Sequence, residues 1–124
     1  MITEDYVSFE VAKLLKEKGF DEPCLMCYTY DEKLGNYGQY NSYKNSEVFS
    51  LTAPTLQMAM KWLRKIYSLE IYPYHDFPKV GDKWWFEIIK YPNYSVSEYE
   101  SETAYNTYEE ACEAAINYCL TNLI

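Results

Sequence analysis

Between residues 9 and 18 the apolar positions recur at helical spacing, with Val11, Leu14 and Leu15 on one stripe and Lys13, Lys16, Glu17 and Lys18 mainly on the solvated side. Ser8 occupies the N-cap position, and Gly19 stands where the chain must leave the helix in a left-handed conformation. Phe20 is expected to fold back on this helix. After the turn Asp21-Glu22-Pro23, residues 24–30 carry the side chains that suit a pleated surface and predict a strand. The polar interval 31–46, rich in Gly, Asn and Ser, predicts a loop or long hairpin connection, and residues 47–51 predict a strand returning against the first.

Pro54 suits the first position of a second helix running to about Tyr67, because its missing N–H would be unpaired there. Leu56, Ala59, Met60, Leu63 and Ile66 form its expected buried stripe, widened by Met58 and Trp62. Residues 69–74 and 83–91 predict an antiparallel hairpin joined through residues 77–82. In its second strand Trp84, Phe86 and Ile88 share one face, and Trp85, Glu87 and Ile89 the other. Pro92-Asn93 ends that strand, and weak alternation over residues 94–105 fits an edge strand, with an ordered loop as the alternative. Thr107 and Glu110 have capping-box spacing and open a third helix to about Asn122. Its apolar face is Ala111, Cys112, Ala115, Ile116, Cys119, Leu120 and Leu123. Glu109, Glu110 and Glu113 lie near its start, where the helix dipole favours negative charge.

The order α-β-β-α-β-β-(β)-α predicts an α+β fold. The expected form is one antiparallel sheet of four to five strands, built from two hairpins, with three helices packed mainly on one face. The 124 residues suit one domain over 1–124. No apolar run approaches membrane-spanning length, and the first residues carry acids where a signal peptide carries basic ones, so the expected location is cytoplasmic, with no membrane partner. The net charge is −8, and no Lys or Arg follows Lys90. Nucleic-acid binding draws its affinity from Lys and Arg on phosphates, which argues against such a partner. An acidic mimic that occupies a nucleic-acid groove in another protein is an alternative, for which Glu98, Glu100, Glu102, Glu109 and Glu113 would form one patch.

Candidate chemistry is sparse. Cys24-Leu25-Met26-Cys27 has metal or redox spacing, and its completion as a metal site would call on His75, the sole histidine. Cys112 and Cys119 lie seven positions apart, about 10.5 Å along a helix, too far to share one tetrahedral ion. In a regular strand Cys24 and Cys27 point to opposite faces, and Cys24 leads into a strand rather than a helix, so buried structural thiols are the expected role. His75 and its neighbour Asp76 also face opposite ways in a strand, which works against a catalytic dyad. Glu98, Glu100 and Glu102 alternate as a carboxylate row would, and equally as a charged edge would. Neither a cofactor nor a catalytic residue is expected. Fifteen tyrosines contribute to an aromatic content of 19%. Tyr37, Tyr40 and Tyr43, set among Gly, Asn and Ser, match the composition of adaptable binding loops and are the candidate partner-binding residues, with a merely solvated insertion as the alternative reading.

Three stretches carry a resemblance. They are Tyr6-Val7-Ser8-Phe9-Glu10 with Ala12-Lys13-Leu14-Leu15-Lys16-Glu17-Lys18-Gly19-Phe20, then Ala53-Pro54-Thr55-Leu56-Gln57 with Lys61-Trp62-Leu63-Arg64, and Tyr108-Glu109-Glu110-Ala111 with Ala114-Ala115-Ile116. In these the chain resembles a group of short uncharacterised proteins of gut Bacteroidales and their phages and mobile elements. The resemblance covers the helices, roughly half the chain, and carries no activity or catalytic motif. It implies a small accessory protein, with phage derivation among its expected origins. The leading expectation is a non-enzymatic binding module with a protein partner, which includes a second copy of itself. The alternative is a metal- or thiol-dependent enzyme using Cys24, Cys27 and His75.

Overall fold

The computed structural model of the chain describes residues 1–36, 42–48, 50–76, 81–92 and 97–124. It is α+β, but the strands form two sheets where one was expected, each three-stranded and antiparallel: Leu34–Gly35, Cys27–Tyr28 and Leu51–Thr52 in that spatial order, and Leu69–His75, Trp84–Lys90 and Ser97–Glu100. They belong to two compact units, Met1–Met58 and Ala59–Ile124. Alternation marks a segment as a strand without naming its neighbour, so one sheet and two sheets read alike in sequence.

In the first unit, α1 (Phe9–Glu17) starts at Ser8, whose hydroxyl accepts from the Val11 N–H at 3.2 Å, and Gly19 follows it at φ +91°. Val11, Ala12 and Leu15 are buried, and α1 packs by β3 (Leu51–Thr52). The expected seven-residue first strand is only β1 (Cys27–Tyr28), preceded by an isolated bridge between Cys24 and Tyr43. It pairs with β2 (Leu34–Gly35) across a tight turn with Glu32 at φ 62°, and on its other side with β3. The return to β1 was anticipated, but it falls at Leu51–Thr52, and a 3-10 turn at Asn45–Glu47 precedes it.

Two-residue strands satisfy few backbone groups, and polar side chains complete the set. Asn45 is 7% exposed; its Nδ2 donates to the Phe20 carbonyl at 2.8 Å and its Oδ1 accepts from the Thr52 N–H at 3.0 Å. Tyr28 donates its hydroxyl to the Val7 carbonyl at 2.6 Å and meets Phe9 edge to face. Lys16, expected on the solvated side, donates from Nζ to the carbonyls of Val48 and Ser50 at 3.2 and 2.9 Å. A long lysine stem makes this possible, because its methylenes can cover apolar surface while the ammonium reaches polar partners.

The second helix, α2 (Leu56–Tyr67), starts two residues beyond Pro54. Thr55 does the capping, its hydroxyl accepting from the Met58 N–H at 3.1 Å, while Pro54 is buried and its carbonyl accepts from Val7. Leu56, Ala59, Met60, Trp62 and Leu63 are buried as expected, but Met58 and Ile66 are exposed, Ile66 by 57%. Ile66 lies at an angle within the buried arc but in the last turn, so helix position decides its exposure.

In the second unit, β4 (Leu69–His75) and β5 (Trp84–Lys90) form the expected antiparallel pair, and β6 (Ser97–Glu100) adds the expected edge strand on β5. Part of the 94–105 segment and of the 77–82 connection, together with Asn93, lies outside the described residues. The third helix, α3 (Tyr108–Tyr118), packs on β4 and β5 and continues as a wider π-type turn over Cys119–Leu123. Thr107 caps it by accepting from the Glu110 N–H at 3.0 Å, but the return bond from Glu110 falls on the Asn106 N–H instead of Thr107. Ala111, Cys112, Ala115, Ile116, Cys119 and Leu120 are fully buried. Burying a branched side chain such as Ile116 or Leu120 contributes about 2 kcal/mol, and the alanines between let the helix sit close to the sheet.

Asn45→Ala tests the first unit. It leaves the Phe20 carbonyl and the Thr52 N–H buried without partners, and each such group costs about 1–3 kcal/mol, so urea unfolding is expected to show a loss of about 3 kcal/mol. A loss below about 1 kcal/mol would mean that another group or water substitutes for the amide.

Candidate functional site

Alternation along the second sheet separates two faces. Leu69 and Ile71 on β4 and Phe86 and Ile88 on β5 are buried, and α3 lies on this side: Tyr118 stacks on Tyr99 with ring centroids 3.6 Å apart, and Tyr108 meets Trp84 edge to face at 5.4 Å. The positions between them point the other way. Tyr72 and Tyr74 on β4 are 43% and 44% exposed, Trp85, Glu87 and Ile89 on β5 are half-buried, and Glu100 on β6 is exposed.

The register makes these six residues one surface. Tyr74 faces Trp85, Tyr72 faces Glu87, and Glu87 faces Glu100 on its other side. Ser101 donates its N–H to the Phe86 carbonyl at 2.9 Å, and Phe86 donates its own N–H to the Ser101 hydroxyl at 3.0 Å. The backbone of Phe86 therefore points to the β6 side, which makes Glu87 and Glu100 a non-hydrogen-bonded pair, the kind with side chains closest, Cα atoms about 4.5 Å apart. Like charges directly opposed in this way destabilise a sheet. Neither carboxylate has an ion-pair partner among the described residues, whereas Glu70, on the same face, has Arg64 Nε at 3.3 Å from its Oε2. The Tyr74 hydroxyl titrates above the ordinary tyrosine range, first through burial and then through the charges of Glu100, Glu87 and Asp76.

Proline at position 73 fits the same geometry. Phe86 turns its donor and acceptor to β6, so the nitrogen of the facing Pro73 points to the open edge of β4, where a missing N–H costs no ladder bond. It also removes a donor that a foreign strand could use.

The residues expected to bind a partner are placed differently. Tyr43 is 9% exposed, pairs through its backbone with Cys24, and donates its hydroxyl to Asn36 Oδ1 at 3.1 Å, so it anchors the polar segment instead of presenting a ring. Tyr37 and Tyr40 lie outside the described residues. An open cavity of about 420 Å³ is lined by Ser42, Tyr43, Glu47 and Val48. Glu98, Glu100 and Glu102 do not form a row: Glu98 is the extra residue at a bulge opposite Ile88 and Ile89, and Glu102 lies beyond the strand end.

All four thiols are free and buried, Cys24 and Cys27 included, because the chain between those two is not a regular strand. Burial pushes Cys24 up to about 11, and likewise raises Cys112 to about 11 and Cys119 to about 12. Such thiols are poor nucleophiles. His75 ends β4, meets Trp84 edge to face at 5.1 Å, and pairs through Nε2 with Asp82, not with its neighbour Asp76. Among the described residues no three His, Cys, Asp or Glu side chains gather as a metal set, so Cys24, Cys27 and His75 do not converge on one. Also among the described residues, no helix is long and apolar enough to cross a membrane.

No protein-family model matches the chain, and no curated protein or solved structure does so either.

The sequence pattern places Trp85, Glu87 and Ile89 on a shared face; the structure adds Tyr72, Tyr74 and the opposition of Glu87 to Glu100. The alternation in LEIYPYH signals the tyrosines; nothing local signals the register.

Raised thiol pKa values set a pH window. A thiol held protonated in the folded state contributes stability that is complete below its ordinary value of 9.0 and is lost as pH rises through about 11 for Cys24 and Cys112 and about 12 for Cys119. Tyr74 and Tyr99, also raised, act in the same direction. The melting temperature is therefore expected to fall between pH 9 and 11. At pH 8 a thiol-specific disulfide reagent should titrate at most one cysteine in the folded protein and all four in urea. Rapid reaction of two or more folded thiols would contradict the burial argument.

Proposed function

We propose that the protein is a small, non-enzymatic binding module, an accessory protein of the kind implied by the helix resemblance, which docks a protein partner on the open face of its second sheet. The observation that carries this reading is the side-by-side exposure of Tyr72 and Tyr74 next to Trp85 on the face opposite α3. Tyrosine and tryptophan offer large rigid rings with a polar tip and little rotamer entropy to lose, which is why they anchor protein interfaces. Buried thiols with raised pKa values support a binding role over thiol catalysis.

A photoreactive phenylalanine derivative placed at Tyr72, and separately at Tyr30, tests the proposal in the native host. Tyr30 is 86% exposed and lies in the first unit, so it reports collisions without docking. Irradiation is expected to give a discrete adduct from position 72 that position 30 does not give. No adduct, or the same adducts from both positions, would remove the docking role.

A further inference from the structure

We propose that the open face of β4, β5 and β6 receives an arginine- and lysine-bearing segment of a partner protein, an inference that rests on the docking role given above. The argument starts from the Glu87 and Glu100 pair. These carboxylates oppose each other across neighbouring strands with no cation of the chain's own between them among the described residues, in an arrangement that weakens the sheet. One guanidinium set between them turns that repulsion into two charge-assisted hydrogen bonds, because its planar fork donates in two directions at once.

The surroundings suit the rest of a basic side chain. Tyr72 lies directly across from Glu87 on the other strand, and the Tyr74 and Trp85 pair lies one side-chain repeat along, about 6.7 Å away. Aliphatic stems can lie over these rings, and a second cation can sit on a ring face.

Charge also separates the candidate occupants. A second copy of the chain would bring its own Glu87 and Glu100 against this face and add repulsion to a protein already at −8. Nucleic acid is repelled for the same reason. A basic segment alone gains from the face as it stands.

The test compares two double variants that remove the same charge. E87Q/E100Q changes the face; E10Q/E17Q changes two exposed glutamates on α1. Binding of an oligoarginine peptide is measured by calorimetry at physiological salt, with an oligoglutamate peptide as the control. E87Q/E100Q is expected to weaken oligoarginine binding about tenfold and E10Q/E17Q less than about twofold, since each exposed ion pair is modest in strength. E87Q/E100Q is also expected to melt no lower than the parent, because it relieves a repulsion, whereas a merely structural role for these carboxylates would lower the melting temperature.

Equal weakening by both variants, or no binding of oligoarginine, overturns the inference, as does a photoadduct at position 72 consisting of a second copy of this chain. The photoadduct reports any partner whatever its charge. A persistent hetero-adduct with lost peptide selectivity therefore removes the basic partner and leaves the docking face, whereas loss of the adduct removes both.

Discussion

One-sided burial of the second sheet governs most of what this protein presents to its surroundings. A strand repeats every two residues, so once α3 covers Leu69, Ile71, Phe86 and Ile88, the positions between them have no choice of direction. Tyr72, Tyr74, Trp85 and Glu87 face outward because their neighbours face inward. The stacking of Tyr118 on Tyr99 extends the covered side to β6, and a one-residue slip would bring Glu87 under the helix, at a cost far above anything the strand could regain. The core therefore fixes the composition of the open face.

The first unit is held on a different principle. Its strands are two residues long, too short for ladder bonds to satisfy the chain around them. Asn45, Tyr28, Lys16 and Asp21 supply the missing donors and acceptors. Asp21 accepts from the Ser46 N–H at 2.7 Å, which holds its carboxyl below the usual carboxylate range. Except for the Asn45 bond to Thr52, seven residues away, each of these bonds spans more than twenty residues of chain, so the polar side chains close loops that a longer sheet would close with backbone.

Cysteine placement follows from the same packing. Cys112 and Cys119 stand on the buried side of α3 and its continuation beside small alanines, where a thiol acts as a compact apolar group and its anion is disfavoured. The acidic surplus of the chain, by contrast, is left at the surface, and on the second sheet two of its members are set against each other.

The amino-acid sequence by itself determined the three helices, with the Ser8 and Thr107 caps and the Gly19 exit, and the inward set of β4 and β5, because these depend on side chains within a few residues of one another. It also held the tyrosine alternation of β4. Tertiary structure alone decided that the strands divide into two sheets, that Glu98 bulges and Glu87 meets Glu100, that Tyr43 is an anchor, and that Asn45 is buried between Phe20 and Thr52. The reason is range: periodicity and capping act along the chain, whereas strand neighbours, register and the partners of a buried amide are set by segments tens of residues away, which no local pattern names.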